Sequence, residues 1–170
     1  MGSPVTLLLR RLPSRWVVGL ATLGPLGQRM PAPGTWGALA GTLYFTAAFT
    51  RLHWWEVVGV TMLVSLVAVA VCGEAEVRLG RSDPGEVILD EFVVMPLCFL
   101  GWQGLVRFWP PWAVLAAGFI LFRFFDIVKP LGIKRTQELP GGWGVVVDDV
   151  VAALAACVAL HLLVHLWLMR

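Results

Sequence analysis

Apolar residues fall into five stretches that are separated by short polar or Pro/Gly-rich connections. Apolar and polar positions do not alternate with a period of two, so the stretches predict helices and argue against a membrane barrel. Several are shorter than the roughly 20 residues that span a bilayer comfortably, but tilt or local thinning accommodates such lengths. The predicted segments are 36–50, 54–72, 92–106 with a helical extension back to about 85, 112–128 and 145–169.

The first 30 residues differ from the rest, because Arg10, Arg11 and Arg15 lie close together there. The apolar stretch that follows, 16–23, is short and lacks the small-residue cleavage pattern of a signal peptide. An interfacial helix with a basic end fits this pattern better. We therefore predict an N-terminal basic, interfacial segment over residues 1–30 and a single helical membrane domain over residues 31–170.

Composition supports a membrane protein. Hydrophobic residues make up 58% of the chain and charged residues 14%, whereas soluble domains have about 25% charged residues. A soluble fold of 170 residues could not bury so much apolar surface. The net charge of +2 and the lack of a basic stripe argue against a nucleic-acid partner. The predicted class is an all-α, polytopic membrane protein.

Basic residues are distributed unequally between the two sides that five spans would create. With the N-terminus inside, nine lie in inner segments and three in outer segments, and such an excess marks the cytoplasmic side. The acidic clusters fall on the same inner side, which is the main reason to expect a site there. The inner residues are Arg10, Arg11, Arg15, Arg29, Arg78, Arg81, Lys129, Lys134 and Arg135, and the outer ones are Arg51, Arg107 and Arg170.

One acidic group precedes and enters the third segment. Asp83, Glu86 and Asp90 are spaced so that they share one face of a helix, and Glu91 follows directly. The preference of acids for helix N-termini accounts for the first two. It does not account for Asp90 and Glu91, which adjoin an apolar run where uncompensated carboxylates are costly.

Two further acidic groups lie in the last two segments. Asp126 is spaced by three residues from Arg123 and from Lys129, and Asp148 and Asp149 are adjacent in an apolar context. Neighbouring carboxylates repel each other unless a cation neutralises them. For the two basic residues, internal ion pairing or snorkelling and the binding of phosphate oxygens are about equally good interpretations.

Glycine-rich loops precede two of the predicted helices. Gly34 permits unusual backbone angles and Thr35 can cap the first segment, while Gly141 and Gly142 lead into the last. Such loops can offer backbone N–H groups to a phosphate. The first loop alone is also compatible with an ordinary helix start.

The donor set of the acidic groups is made of hard oxygens without His or Cys, which favours Mg²⁺ or a similar cation. Such a site can activate water and neutralise charge on a phosphoryl group. His161 and His165 have helical i, i+4 spacing but no evident third ligand, so we interpret them as structural or interfacial. The pattern therefore predicts a metal-dependent phosphatase that acts on a lipid phosphate.

At four segments the sequence resembles the phosphatidylglycerophosphatase A family. The resemblance covers residues from about 31 to 153, with the pieces in the family's order. It implies a magnesium-dependent enzyme of the bacterial inner membrane, with its site facing the cytoplasm, that converts phosphatidylglycerophosphate to phosphatidylglycerol and phosphate. The matching pieces are Pro33-Gly34-Thr35-x-Gly37, Asp83-Pro84-Gly85 followed by Asp90-Glu91-Phe92, Phe122-Arg123-x-Phe125-Asp126-x-x-Lys129-Pro130, and Gly141-Gly142-x-Gly144 followed by Asp148-Asp149.

From the residues and this resemblance together we expect two sets of site residues. The catalytic set is Asp90, Glu91, Asp126 and Asp149, and Asp148 joins these four as a metal ligand. The set that binds the phospholipid substrate is Gly34, Thr35, Arg123, Lys129, Gly141 and Gly142.

Two alternatives belong to other functional classes. Intramembrane acids also mark ion pathways, so the chain could be a small divalent-cation transporter. A transporter is expected to place acids near the midplane or along a span, whereas here they gather at one end. The second alternative is a CDP-lipid-type phosphotransferase with similar acidic helices.

Overall fold

The computed structural model describes residues 4–130, 139 and 141–169, with only the backbone for residues 4–7. Within these residues the chain forms helices and no strand. Lys134, Arg135 and Arg170 lie outside the described residues. The helices are α1 (Pro4–Arg11), α2 (Ser14–Ala21), α3 (Pro25–Arg29), α4 (Pro33–Ala48), α5 (Trp54–Leu79), α6 (Leu89–Cys98), α7 (Trp102–Leu105), α8 (Pro111–Val128) and α9 (Gly142–Leu168).

Three helices, α5, α8 and α9, are long and apolar enough to cross a membrane. Only 33%, 17% and 33% of the residues in their most apolar windows are buried inside the chain, so most of these side chains face outward, as lipid contact requires. The predicted all-α membrane architecture is confirmed. The count of about five spans is not confirmed, because α4 has 16 residues and α6 has 10.

Helix α6 lies at the centre of the bundle. It packs against α4, α5, α8 and α9. Eight of its ten residues are buried, and all of these except Asp90 are apolar or sulfur-containing. A helix that is surrounded by other helices needs no full bilayer length, because its neighbours separate it from lipid. The short α6 can therefore carry polar groups into the bundle from one end.

The segment before α6 differs from the predicted helix. Asp83 has a left-handed backbone with φ of +46°, and the N–H of Val87 closes a turn by donating to the carbonyl of Pro84 at 2.8 Å. The helix consequently begins at Leu89 and not near residue 85. The prediction that Asp83, Glu86 and Asp90 share one helical face is therefore wrong.

The predicted continuous helix over 92–106 is also interrupted. Helix α6 contains Pro96 and ends two residues later, at Cys98. Gly101 then adopts a φ of +74°, a left-handed conformation that glycine takes without steric cost, and the short α7 follows. The chain turns here at the end of the bundle that lies opposite to the acidic groups.

Glycines let the helices approach closely around this core. A Cβ atom added to Gly41 of α4 would lie 2.6 Å from Cγ of Met95 and 2.7 Å from the carbonyl oxygen of Phe92. On the other side, one added to Gly142 of α9 would lie 2.0 Å from the carbonyl oxygen of Val69 on α5. Small residues at such contacts are typical of helix packing in membranes. They hold α4 against α6, and α9 against α5.

The N-terminal helices are attached to the end of α5. The Arg78 guanidinium donates to the carbonyl oxygens of Leu9 at 2.8 Å and Leu12 at 3.0 Å, and it pairs with Glu74 at 3.0 Å. Beyond α2, the N–H of Ile88 donates to the carbonyl of Ala21 at 3.0 Å. These bonds connect α1 to α5, and α2 to the loop that precedes α6.

The two ends of the bundle differ in chemistry. The end where α4, α6 and α9 begin and α5 and α8 finish, here called the polar end, carries the acidic groups predicted from sequence. At the opposite end, aromatic residues that the chain leaves exposed form part of an interfacial belt. They are Trp54, Trp55, Trp112 and Trp167.

The contact between α4 and α6 predicts a stability effect. Gly41→Ala should lower stability by about 1–3 kcal/mol, as overpacking does, because the new methyl meets backbone and a fully buried Met95. Gly59→Ala in α5 is the matched control, since nothing lies within 4 Å of its added Cβ atom. Thermal unfolding in detergent checks this, and equal midpoints for the two variants would contradict the packing described.

Candidate functional site

Five acidic side chains of the predicted site come together at the polar end from three helices. Helix α6 supplies Asp90 and Glu91 in its first turn, α8 supplies Asp126 near its last turn, and α9 supplies Asp148 and Asp149. Asp90, Asp148 and Asp149 are only 3–5% exposed. Three segments that are distant in sequence therefore contribute to one cluster, here called the acidic cluster.

Glu91 lies against the first turn of α4. A Cβ atom added to Gly34 would lie 2.0 Å from Oε1 of Glu91, and one added to Gly37 would lie 2.8 Å from Oε2. Only glycine at these two positions leaves room for the carboxylate. The position at the N-terminus of a 16-residue helix is also electrostatically favourable for a negative group.

Arg123 connects two of the acids. Its Nη1 lies 2.5 Å from Oδ2 of Asp126, one turn away on α8, and 3.3 Å from Oε1 of Glu91 on α6. Its Nε is buried and has no hydrogen-bond partner among the described residues. Arg123 thus holds α8 against the start of α6 and retains an unused donor.

Lys129 makes a third ion pair of the site, with Oδ2 of Asp148 on α9. It follows the last residue of α8 and has a left-handed backbone with φ of +46°, which directs the chain away from the helix. The other oxygen of Asp148, Oδ1, accepts the N–H of Asp149 at 3.1 Å. Arg123 and Lys129 therefore pair with separate acids, although both are spaced by three residues from Asp126.

The charges of the cluster are not balanced by these pairs. Asp149 is repelled most by Asp90 and then by Asp126, Glu91 and Asp148. Oδ1 of Asp90 and Oε2 of Glu91 are buried without a hydrogen-bond partner within the described ranges. Burial and then Glu91 raise the pKa of Asp90 well above its ordinary range, and burial and then Asp126 raise that of Glu91 to about 8.

The two unpartnered oxygens are the observation that fits a bound cation, because buried carboxylate oxygens are costly without a donor or a metal. In the described part of the chain, no three His, Cys, Asp or Glu side chains are grouped closely enough to hold a metal ion as they stand. Three of the five carboxylates pair with Arg123 or Lys129 instead. A cation would therefore be held after modest movements of these side chains.

The glycine-rich loops that precede α4 and α9 lie at the polar end, as predicted. The start of α4 differs from the prediction in how it is capped. Helix α4 starts at Pro33 and no side chain caps it, while the N–H of Thr35 donates to the carbonyl of Ala32 at 2.9 Å. The predicted capping role of Thr35 is therefore wrong. Gly141 precedes α9 with a φ of +59°, as expected for a loop that needs a glycine.

Sequence reasoning missed one acid of this region. Glu76 is 9% exposed, and its Oε1 accepts the N–H of Asp83 at 2.7 Å. Asp83 in turn acts electrostatically on Asp90, Glu91 and Asp148. The predicted second segment ends at residue 72, whereas α5 continues to Leu79. Glu76 was missed because it lies in this polar continuation of the helix.

Comparison with known proteins agrees with this arrangement. The sequence model of the family described as Phosphatidylglycerophosphatase A matches residues 19–164, which include the whole acidic cluster. The chain belongs to this family. It is accordingly a lipid phosphatase, a phosphoric monoester hydrolase with a phospholipid substrate.

Three individual proteins are similar to this chain over most of its length. The Haemophilus influenzae phosphatidylglycerophosphatase A is 36% identical over 129 residues, which are 75% of this chain and 76% of that protein. The Escherichia coli phosphatidylglycerophosphatase A is 33% identical over 136 residues, or 79% and 76%. A Bacteroides thetaiotaomicron protein, whose name proposes a phosphatidylinositol-3-phosphatase, is 38% identical over 128 residues, or 72% and 77%. No solved structure matches.

The position of Glu91 predicts a strong effect of one methyl group. Gly34→Ala should lower kcat for lipid-phosphate hydrolysis about 100-fold, because the methyl displaces the Glu91 carboxylate and misplacements of about 1 Å have such effects. Gly19→Ala in α2, with nothing within 4 Å of its added Cβ atom, is the control. Steady-state kinetics of both variants measure this, and unchanged kcat in folded Gly34→Ala would show that Glu91 is not needed at its present position.

Proposed function

We propose that the chain hydrolyses the terminal phosphomonoester of phosphatidylglycerophosphate in a Mg²⁺-dependent reaction, at the cytoplasmic face of a bacterial inner membrane. The observation that carries the proposal is the convergence of five carboxylates and two basic side chains at one end of a membrane bundle. A phosphate on a lipid headgroup lies at the depth of such a cluster. The names of two family members supply the substrate.

The basic side chains suit the binding of a phosphate. Arg123 retains its buried, unpartnered Nε and Lys129 is a single flexible ammonium group, so both can exchange carboxylate partners for phosphate oxygens. The starts of α4 and α9, at Gly34–Thr35 and Gly141–Gly142, add backbone N–H groups and favourable helix dipoles. The released Asp126 and Asp148 then become available as ligands.

The acidic side chains suit the binding of Mg²⁺. Asp90, Glu91 and Asp149 would hold it through hard oxygen atoms, with Asp126 and Asp148 joining when their ion pairs open. The bound ion supplies charge neutralisation at the phosphoryl group and lowers the pKa of water. Because the carboxylates would be occupied in this way, we propose that water attacks the phosphorus while the P–O bond to the headgroup glycerol breaks. A carboxylate of the set accepts the proton of the water, and the leaving glycerol oxygen takes up a proton to become the hydroxyl of phosphatidylglycerol.

The distribution of charge supports the proposed orientation. Among the described residues, the polar end carries Arg29, Arg78 and Arg81 in addition to Lys129, while the opposite end carries Arg51 and Arg107. A basic excess marks the cytoplasmic side of bacterial membrane proteins. The N-terminal helices, with exposed Trp16 and Leu20, would then lie at the cytoplasmic interface.

Phosphate release from purified protein tests the proposal. We expect hydrolysis of phosphatidylglycerophosphate with Mg²⁺, loss of activity with a chelator, and lower kcat/KM for phosphatidic acid and phosphatidylinositol 3-phosphate. Activity that is unaffected by the chelator would contradict the metal dependence, and preference for another lipid would contradict the substrate. Metal flux into proteoliposomes without phosphate release would favour a transporter, and alcohol-dependent release of CMP would favour a phosphotransferase.

Asp149 provides the test of the site itself. Asp149→Asn should lower Mg²⁺-dependent kcat by at least about 100-fold, because it removes a buried charge from the proposed ligand set without changing side-chain size. Glu56→Gln, an acid at the start of α5 at the opposite end, is the matched control and should retain full activity. Full activity of Asp149→Asn would rule out the assigned site.

A further inference from the structure

A cavity of about 220 Å³ lies beside the acidic cluster, between the loop that follows α5 and the start of α9. Gly144 lies one helical turn before Asp148 on α9, so the cavity adjoins the proposed phosphate site. Neither the acidic cluster nor its basic partners Arg123 and Lys129 line it. Its lining includes Glu76, Ser82, Asp83, Gly141, Gly144 and Val145.

The two carboxylate oxygens of Glu76 have different contacts. Oε1 accepts the backbone N–H of Asp83 at 2.7 Å and the hydroxyl of Ser82 at 3.4 Å. Within the part of the chain that the structure describes, Oε2 takes part in no hydrogen bond or ion pair, although the residue is only 9% exposed. One oxygen therefore organises the loop, and the other is left as an acceptor at the cavity.

Among the residues that the structure describes, the basic side chains of this region pair with other acids. Arg78 and Arg10 pair with Glu74, on another face of α5, and Arg81 pairs with Glu86. An ionised carboxylate oxygen only accepts hydrogen bonds, so this side of the cavity suits a ligand group that donates one. The remainder of the described lining, two glycines with Leu139 and Val145, leaves space and adds no positive charge for a second phosphate.

We propose that this cavity binds the glycerol part of the substrate headgroup and that Oε2 of Glu76 accepts a hydrogen bond from its free hydroxyl. The inference rests on the proposed function, in which the headgroup carries one free hydroxyl between its two phosphates. Glu76 is then a specificity-determining residue: it distinguishes a polyol headgroup from a lipid phosphate without a hydroxyl. Its other oxygen keeps the loop before α6 in place in either case.

Two substrates separate this role from a purely structural one. The first is phosphatidylglycerophosphate, and the second is an analogue in which propane-1,3-diol replaces the headgroup glycerol, so that only the hydroxyl is missing. We expect the wild-type enzyme to favour the first by about tenfold in kcat/KM, mainly through KM, which is the usual size of a hydrogen bond to a charged group. In Glu76→Gln the ratio of the two kcat/KM values should fall to about one, because the charged acceptor for the hydroxyl is lost. The amide oxygen still accepts the N–H of Asp83, so the loop stays in place.

Glu86→Gln is the matched control, because Glu86 belongs to the same region but pairs with Arg81 on the surface. Its ratio should equal that of the wild type. Equal losses on both substrates in Glu76→Gln, or a wild-type enzyme with no preference for the hydroxyl, would overturn the subsite and leave the proposed function intact. A wild-type enzyme that cleaves neither substrate would instead overturn the proposed function, and the subsite with it.

Discussion

The gathering of five carboxylates, three of them buried, at one end of an apolar bundle is the constraint on which the rest of this structure depends. Removing a charged group from water costs several kcal/mol even after the protein relaxes. Among the described residues only Arg123 and Lys129 pair with these acids, and two oxygens remain buried without partners. The cluster therefore carries more negative charge than the basic side chains among the described residues compensate. A divalent cation would offset part of this charge and would free Arg123 and Lys129 to bind a phosphate, which is why the same feature supports both ligands.

Close helix packing makes this arrangement possible. Gly34 and Gly37 leave space for the two oxygens of Glu91, and Gly142 brings α9 against α5, so that Asp148 and Asp149 face the start of α6. The central helix is short because its neighbours shield it from lipid, and its first turn delivers Asp90 and Glu91 into the bundle. The glycines near the site thus allow close packing of the helices and of Glu91. This role is separate from any contact of their N–H groups with phosphate.

The sequence allowed the helical membrane class, the gathering of acids at one end and the family to be predicted, because apolar runs and charged residues leave direct patterns. Details that depend on tertiary packing could not be predicted. Pairing of Arg123 with Glu91, and of Lys129 with Asp148, joins separate helices, so local spacing carries no sign of it. The left-handed Asp83 broke the predicted helix, and Glu76 was overlooked because α5 runs beyond its apolar part. The division into residues 1–30 and 31–170 stays a prediction.

The most direct measurement for the central claim is calorimetric titration of Mg²⁺ into the purified protein in detergent, without substrate. It reports on the uncompensated charge itself and does not depend on which lipid is hydrolysed. Saturable binding by the wild type, strongly weakened in Asp149→Asn and unchanged in Glu56→Gln, is the predicted result. Equal Mg²⁺ binding by wild type and Asp149→Asn, or none by the wild type, would contradict the account of the acidic cluster as a cation site.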